Sequence, residues 1–345
     1  MSELRRDPIT GRWVVIAPER LRARDVDAVH LRGGPAGAID GDMCPFCEGQ
    51  ESIAGPEILA WRPPGSLHNT PGWTVRVVAN REPALRVESS LGESSSALFQ
   101  TLGGLGAHEV IIESPRHDAS WSTMGAEEIQ RVLWAWRERM RDLRRDFRLR
   151  SFAVVKNHGE AAGATLDHPH SQLVALPMVP QHLDEALAGA RTYHQATTHC
   201  VFCDVATQEV ATERRMVSSD EQTVAFAPFA SRVPFETWIM PRLHRAAFDE
   251  ETDSSLAAVA ERLSDVMRRV NTTLASPAFT LLLHTAPVGE ERSVAYHWHL
   301  EILPRLAPIN GLAFDGGLYV NPVAPEESAR ALREAVAERS AVLLH

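Results

Sequence analysis

No stretch of this sequence approaches the roughly 20 consecutive apolar residues that a membrane-spanning helix needs. The first six residues also lack the apolar segment of a secretory signal, so we expect a cytoplasmic protein with no membrane partner. Positive charge is scarce, because 35 Lys and Arg stand against 45 Asp and Glu, for a formal net charge of −10. This balance argues against nucleic acid as a partner, although a small phosphorylated ligand needs only a local cluster of donors.

Cysteine is also rare, and all four cysteines fall in two C-x-x-C pairs, Cys44/Cys47 and Cys200/Cys203. In a chain without a signal peptide, this spacing favours metal binding over disulfides. The remaining composition, 44% hydrophobic and 23% charged, is typical of a soluble globular protein with a sizeable core. A length of 345 residues accommodates two ordinary domains or one duplicated domain.

The predicted elements occur twice in the same order. Apolar periodicity in the first half predicts strands at 73–79 and 108–113, a helix at 124–147, and strands at 151–156 and 168–176. The second half predicts strands at 223–227 and 236–240, a helix at 254–274, and strands at 278–284 and 296–303. The separation of His117 from His244 along the chain differs by two residues from the separation of His168 from His297.

A repeat of this length indicates a domain duplication and not a solenoid. We expect an N-terminal domain at 1–180 and a C-terminal domain at 195–345, joined by a polar, helical link near 178–198. Each domain should be an antiparallel sheet covered on one face by its long helix, so the predicted fold class is α+β.

The duplication groups histidines with the cysteines. Each half supplies a C-x-x-C pair, a histidine after its second strand and a histidine at the start of its fourth. Two thiolates and two imidazoles form a closed tetrahedral set for Zn²⁺, although the alternative is reduced core cysteines with incidental histidines. A closed set has no position for a bound water, which favours a structural role. The two predicted zinc sites are Cys44, Cys47, His117 and His168, and Cys200, Cys203, His244 and His297.

The segment 167–172, Asp-His-Pro-His-Ser-Gln, carries the predicted chemistry. Side chains alternate faces along a strand, so His168, His170 and Gln172 should point the same way. A metal on His168 and the ring of Pro169 would fix His170, and a rigid imidazole in a cleft is a good nucleophile toward phosphorus. Gln172 could donate its amide N–H to a phosphoryl oxygen. In the alternative interpretation, His170 is a further metal ligand or a packed strand residue.

A loop of small residues, 156–165, precedes this strand. Its backbone N–H groups could approach an anion, although the loop taken alone is equally an ordinary glycine turn. In the second half, His299 stands in the place of His170 and Glu301 in the place of Gln172. Because a carboxylate repels phosphate, we expect one chemical site per chain, in the first half.

Four motifs together resemble the galactose-1-phosphate uridylyltransferases of the histidine triad superfamily. They are L-R-R-D-P-I-T-G-R-W-V at 4–14, C-P-F-C at 44–47, K-N-H-G-E-A-A-G at 156–163 and H-P-H-S-Q at 168–172. The resemblance implies a duplicated histidine-triad-like fold, a homodimer, and ping-pong transfer through a nucleotidyl-histidine. It also implies the roles of particular residues: His170 with Gln172 in catalysis, Asn157, Gly163 and Thr165 in a phosphate loop, Arg20 and either Arg22 or Arg24 near the phosphates, and Asn80 at the nucleoside.

The motifs are divided between two branches of that family. Uridylyltransferases often have Asn-Asp where this chain has Asn80-Arg81, and the segment 319–322 and the second metal set look more like ADP-glucose phosphorylase. The leading prediction is a nucleotidyltransferase of galactose metabolism that moves UMP between a nucleoside diphosphate sugar and a hexose 1-phosphate. The first alternative is an adenylyltransferase that uses inorganic phosphate, and the second is a nucleotide hydrolase of the histidine triad type.

Overall fold

The computed structural model describes residues 2–17, 44–96, 98–307, 311–312 and 318–342. The strands are β1 (Glu3–Arg6), β2 (Trp13–Ile16), β3 (Glu57–Trp61), β4 (Val75–Ala79), β5 (Ser94–Ser95), β6 (Gln100–Gly103), β7 (Ala107–Ile112), β8 (Ser151–His158), β9 (His170–Leu176), β10 (Met216–Ser219), β11 (Thr223–Phe226), β12 (Thr237–Pro241), β13 (Phe279–His284) and β14 (His299–Pro304). The α-helices are α1 (Glu51–Ala54), α2 (Ala126–Leu143), α3 (Gln181–Thr197), α4 (Val201–Thr212), α5 (Asp253–Leu274) and α6 (Pro325–Val342).

Ten of these strands form one antiparallel sheet in the order β10-β11-β12-β14-β13-β8-β9-β7-β4-β3. The first half supplies β3, β4 and β7–β9, and the second half supplies β10–β14. The α+β class, with an antiparallel sheet and a long helix in each half, is confirmed. The two five-stranded halves are joined edge to edge, because β8 pairs with β13 in the register Lys156↔Leu281. A second antiparallel sheet has the order β2-β1-β6-β5.

Helices α2 and α5 pack against each other, and their apolar faces lie on one face of the large sheet. Ile129, Val132, Leu133 and Trp136 recur at helical spacing on α2, and all four are fully buried. The indole N–H of Trp136 donates to Ser171 Oγ over 2.8 Å. Because side chains alternate along β9, Ser171 faces the helices, and His170 and Gln172 face the opposite side.

The structure corrects several predicted boundaries; the strand predicted at 296–303, for example, is β14 and begins at His299. Helix α2 ends at Leu143 and not at 147, and Phe147, the last residue of the predicted span, is 82% exposed. At this end the guanidinium of Arg144 pairs with the carboxylate of Asp249 over 2.6 Å, which anchors the chain where it leaves the helix. Strand β9 begins at His170 and not at His168, because Pro169 has no N–H to donate to the ladder.

The predicted helical link near 178–198 is present as α3. None of the helices in the described part of the chain combines the length and the apolar character needed to cross a bilayer.

Candidate active site and metal sites

The first predicted metal set converges at the end of β9. The ligand atoms of Cys44, Cys47, His117 and His168 all lie within 4.8 Å of one another. Cys47 Sγ lies 3.4 Å from His117 Nδ1 and 3.6 Å from His168 Nδ1. His168 is fully buried, and its Nε2 N–H donates to the carbonyl oxygen of Ser114 over 2.8 Å. The Nδ1 atom of His168 therefore carries the lone pair that faces the cysteines.

The second half repeats this arrangement with Cys200, Cys203, His244 and His297, whose ligand atoms also lie within 4.8 Å of one another. Cys203 Sγ lies 3.3 Å from His244 Nδ1 and 3.4 Å from His297 Nδ1. His244 Nε2 donates to the carbonyl oxygen of Ser293 over 3.0 Å. Both sets are thus candidate metal sites. In each of them the Nδ1 atoms of the histidines face the thiols.

His170 lies next to the first metal set and is 7% exposed. Its Nδ1 N–H donates to the carbonyl oxygen of His168 over 2.8 Å, which fixes the ring and leaves the lone pair on Nε2. Burial lowers the pKa of His170 below its ordinary value. The ring of Phe46, between the two cysteines of the first set, lies 5.3 Å from the His170 ring at an interplanar angle of 61°.

Gln172 belongs to a short polar row on the same face of the sheet. Gln172 Oε1 lies 2.7 Å from His108 Nε2, and Asn80 Nδ2 lies 3.1 Å from the same ring nitrogen. Two residues predicted to serve the site, Gln172 and Asn80, are therefore brought together by a third residue, His108. The side-chain oxygen of Asn80 accepts from the backbone N–H of Glu82, which fixes the orientation of its amide.

The loop at 156–165 is a tight turn that packs around the side-chain amide of Asn157. The register of β8 with β9 ends with Val155 opposite Gln172, and its continuation by two residues would place Asn157 opposite His170. A Cβ on Gly163 would lie 3.9 Å from Asn157 Nδ2, so the loop closes over this amide. The N–H groups of Gly163 and Ala164 donate to carbonyl oxygens of the loop itself. Side chains such as those of Asn157 and the exposed Thr165 are therefore its better anion donors.

The corresponding place in the second half has a different geometry. His299 donates from Nδ1 to the His297 carbonyl oxygen over 3.2 Å, but its ring is stacked between Trp238 at 4.5 Å and His284 at 4.7 Å. Burial lowers the pKa of His299 to about 3. Glu301, at the position of Gln172, pairs with Arg232 over 2.5 Å. This imidazole is enclosed by rings, and a carboxylate stands where the first half has an amide.

Some predicted site residues are not placed by the structure. Arg20, Arg22 and Arg24 lie outside the described residues. Sequence reasoning missed His108 and Phe46. The recurrence of phenylalanine in both C-x-F-C segments was a usable signal for Phe46, because Phe202 contacts His299 at 5.2 Å as Phe46 contacts His170. His108 offered no comparable signal, because all six residues of β7 are buried and its burial pattern does not alternate.

Comparisons with known proteins agree with this geometry. The family described as galactose-1-phosphate uridyl transferase, N-terminal domain, matches residues 1–180. An ADP-glucose phosphorylase from Arabidopsis thaliana is 32% identical over 96% of this chain and 92% of its own length. A galactose-1-phosphate uridylyltransferase from Thermotoga maritima is 25% identical over 98% of this chain and all of its own length.

A solved uridylyltransferase structure superimposes with a TM-score of 0.81 at 26% identity, over 97% of this chain and 99% of that one. The likeness therefore extends over both halves and is not confined to the segment that carries the histidines. The chain is a nucleotidyltransferase and belongs to the galactose-1-phosphate uridylyltransferase family.

Proposed function

We propose that this enzyme transfers a nucleoside monophosphate, with UMP as the leading candidate, between a nucleoside diphosphate sugar and a hexose 1-phosphate. The observation that carries the proposal is the hydrogen bond from His170 Nδ1 to the His168 carbonyl oxygen, because it leaves a lone pair on Nε2 of a fixed ring. Gln172 lies two residues further along the same face of β9 and supplies an amide near the site of attack.

In the first half-reaction, the Nε2 lone pair of His170 attacks the α-phosphorus of the nucleotide sugar. The N–P bond forms as the bond from phosphorus to the oxygen of the leaving sugar phosphate breaks. The proton on Nδ1 stays on His170 and in its hydrogen bond to the His168 carbonyl oxygen, which stabilises the charge that develops on the ring. In the second half-reaction a phosphate oxygen of the acceptor attacks phosphorus, and the N–P bond breaks.

Charge on the transferred phosphoryl group needs neutral or cationic donors. Gln172 and Asn157 supply amide N–H groups beside His170, and the predicted contacts of Arg20 and Arg24 with the phosphates remain proposals. Gly163 and Thr165 belong to the loop around Asn157, and Asn80 is proposed to contact the nucleoside. An amide at position 172 distinguishes this place from the second half, where the carboxylate of Glu301 would repel an incoming phosphate.

We also propose that each metal set binds Zn²⁺. With Zn–S near 2.3 Å and Zn–N near 2.0–2.1 Å, tetrahedral geometry puts sulfur and nitrogen ligands about 3.5 Å apart. The four Sγ–Nδ1 separations are 3.3–3.6 Å, which fits. The carbonyl partners of His168 and His244 are the outer contacts that orient histidine ligands. Zinc in the first set would hold the chain that leads into His170.

A second candidate function is favoured by the 32% identity to a protein named ADP-glucose phosphorylase. In this version AMP is carried on His170 and inorganic phosphate accepts it, so the covalent chemistry is the same and the base and the acceptor differ. The two candidates are separated by incubating the protein with UDP-glucose or ADP-glucose and measuring its intact mass. A UMP adduct supports the first and an AMP adduct supports the second.

The same experiment also separates transfer from hydrolysis. Nucleotide release that continues without an acceptor would indicate a hydrolase, and the absence of any adduct on active protein would contradict both transfer proposals.

We further propose domains at 1–180 and 195–345, supported by the repeated strand order. We also propose that the protein is a cytoplasmic homodimer. Light scattering of the purified protein tests the dimer, and a monomer at micromolar concentration would contradict it.

A further inference from the structure

His108 has no role in the reaction outlined above, yet it contacts a residue that does. It lies on β7 with 7% of its surface exposed. The register Val110↔Gln172 and the alternation of side chains along β7 put His108 on the same face as Gln172 and His170. Its Nε2 lies 2.7 Å from Gln172 Oε1. A buried imidazole at this distance influences whether the Gln172 side chain presents its amide nitrogen or its oxygen to a ligand.

The backbone settles the tautomer of His108. The N–H of Ala84 points at His108 Nδ1 over 3.0 Å, and a backbone N–H can only donate. Nδ1 must therefore accept, so the ring proton of neutral His108 is on Nε2. Nε2–H in turn donates to Gln172 Oε1 at 2.7 Å, so Gln172 presents its oxygen to the ring. Asn80 Nδ2 lies 3.1 Å from the same nitrogen, but it is also a donor and makes no hydrogen bond to the protonated Nε2, because the one lone pair of the neutral ring is taken by Ala84. A chain of two hydrogen bonds thus runs from the backbone of Ala84 through His108 to the Gln172 side chain.

This chain determines which way the planar amide of Gln172 is turned. With Oε1 held by His108, the amide nitrogen is the end available to a ligand, and its N–H groups attract a phosphoryl oxygen. If the amide rotates by 180°, it presents a carbonyl oxygen, which repels the same group. A donor that is already aligned before the reaction contributes more to the rate than one that must reorient.

We propose that His108 is a positioning residue that, through its Nε2 proton, keeps the Gln172 amide N–H directed toward the transferred phosphoryl group. This inference rests on the proposed function, because Gln172 must act on phosphate for its orientation to affect the rate. It assigns His108 no contact with the nucleotide and no part in proton transfer.

Two substitutions separate the two hydrogen bonds of His108. His108→Asn puts an oxygen near the position of Nδ1, which keeps an acceptor for Ala84 but has no donor toward Gln172. His108→Gln puts an amide nitrogen near the position of Nε2, which keeps the donor. With the nucleotide sugar that labels the wild type, His108→Asn should lower the single-turnover rate of adduct formation about 10-fold or more, and His108→Gln should recover most of that loss. The half-saturating substrate concentration should change less than about 2-fold.

A double-mutant cycle with Gln172→Ala distinguishes positioning from a general structural effect. If His108 acts through Gln172, His108→Asn should have less than about a 2-fold further effect in the Gln172→Ala background. An equal loss in both backgrounds, or equal losses in the two His108 variants, would overturn the proposal. Failure of the wild type to form an adduct with any nucleotide sugar would instead overturn the proposed function, and the role of His108 with it.

The tautomer can be measured without any reaction. Nitrogen-15 NMR of the histidine rings, with His108→Gln used to assign the signal, reports which nitrogen carries the proton. A proton on Nε2 is expected. A proton on Nδ1 would overturn the inference even in a fully active enzyme.

Discussion

The ring of His170 and the main chain of His168 are joined by one hydrogen bond of 2.8 Å, from Nδ1 to the carbonyl oxygen. His168 is itself held by Ser114 through its own Nε2. The proposed nucleophile is therefore oriented by the backbone of a proposed metal ligand, and its reactive nitrogen is defined by a contact that does not involve substrate.

His170→Ala should abolish the covalent adduct and lower turnover by at least about 10³-fold, because it removes the Nε2 atom on which the N–P bond is proposed to form. Intact mass spectrometry and a turnover assay measure the two effects. The matched control is His299→Asn at the corresponding position of the second half, which should still form the adduct. An adduct of undiminished yield on the His170→Ala protein would show that another residue is the nucleophile.

Gln172→Ala should lower the rate of adduct formation by about 10²–10³-fold, the usual effect of removing one donor to a developing negative charge. Gln172→Glu should be slower still, because its carboxylate would repel the phosphoryl group, as Glu301 would at the corresponding position of the second half. Single-turnover kinetics give both rates. A Gln172→Glu enzyme as fast as Gln172→Ala would argue against direct contact between this side chain and the phosphoryl group.

Metal analysis of the purified protein should find about two zinc ions per chain. Cys44→Ser and Cys200→Ser should each remove about one of them, since each substitution takes a thiolate from a different set. Both variants should also unfold at lower temperature than the wild type, because loss of a structural metal removes a link between separate segments. A wild-type content of one zinc ion per chain, unchanged in Cys200→Ser, would rule out metal binding at the second set.

Two glycines of the loop before β9 should respond differently to alanine. At Gly159, φ is +78° and a Cβ would lie 2.8 Å from the Cβ of Ala278, at the junction of the two halves. At Gly163, φ is +83° but the nearest atom, Asn157 Nδ2, would be 3.9 Å away. Gly163→Ala should therefore cost about 1–2 kcal/mol of unfolding free energy, and Gly159→Ala clearly more. Urea denaturation measures both, and equal costs would contradict the predicted clash.

A buried ion pair lies behind His170. Lys156 Nζ is 2.6 Å from Glu113 Oε2, and both side chains are almost fully buried. Lys156→Met should cost about 3–5 kcal/mol, because it leaves the buried carboxylate without its cationic partner and with the indole N–H of Trp121 as its remaining side-chain donor. The double substitution Lys156→Met with Glu113→Gln should recover a substantial part of this cost. If the double variant is as unstable as the sum of the two single variants, the pair is not coupled.

Much of the first half's site was predictable because its residues are close in sequence or are repeated. His168, His170 and Gln172 lie within one segment, and the duplicated spacing identified His117 and His244. The contact between His108 and Gln172 was not predictable in the same way. It depends on the pairing of β7 with β9, two strands that are separated by a long helix, and on the backbone conformation at Ala84.

The fold was predictable to a similar degree. Long periodic helices and most central strands were recognised. The short strands β1, β2, β3, β5, β6 and β10 were not, because strands of two to five residues carry little periodicity. The junction of the halves also has no local signature. Whether two predicted sheets stay apart or join depends on which edge strands meet, and β8 and β13 are each apolar enough for either arrangement.

The pairing of β8 with β13 has a consequence for how the duplication can be divided. Each of these strands would be an unprotected sheet edge in an isolated half, with a row of backbone donors and acceptors open to another chain. A gene fragment that encodes a single repeat should therefore yield a product that self-associates through this edge. We therefore expect the two repeats to depend on each other for solubility, even though the reactive imidazole is proposed in only one of them.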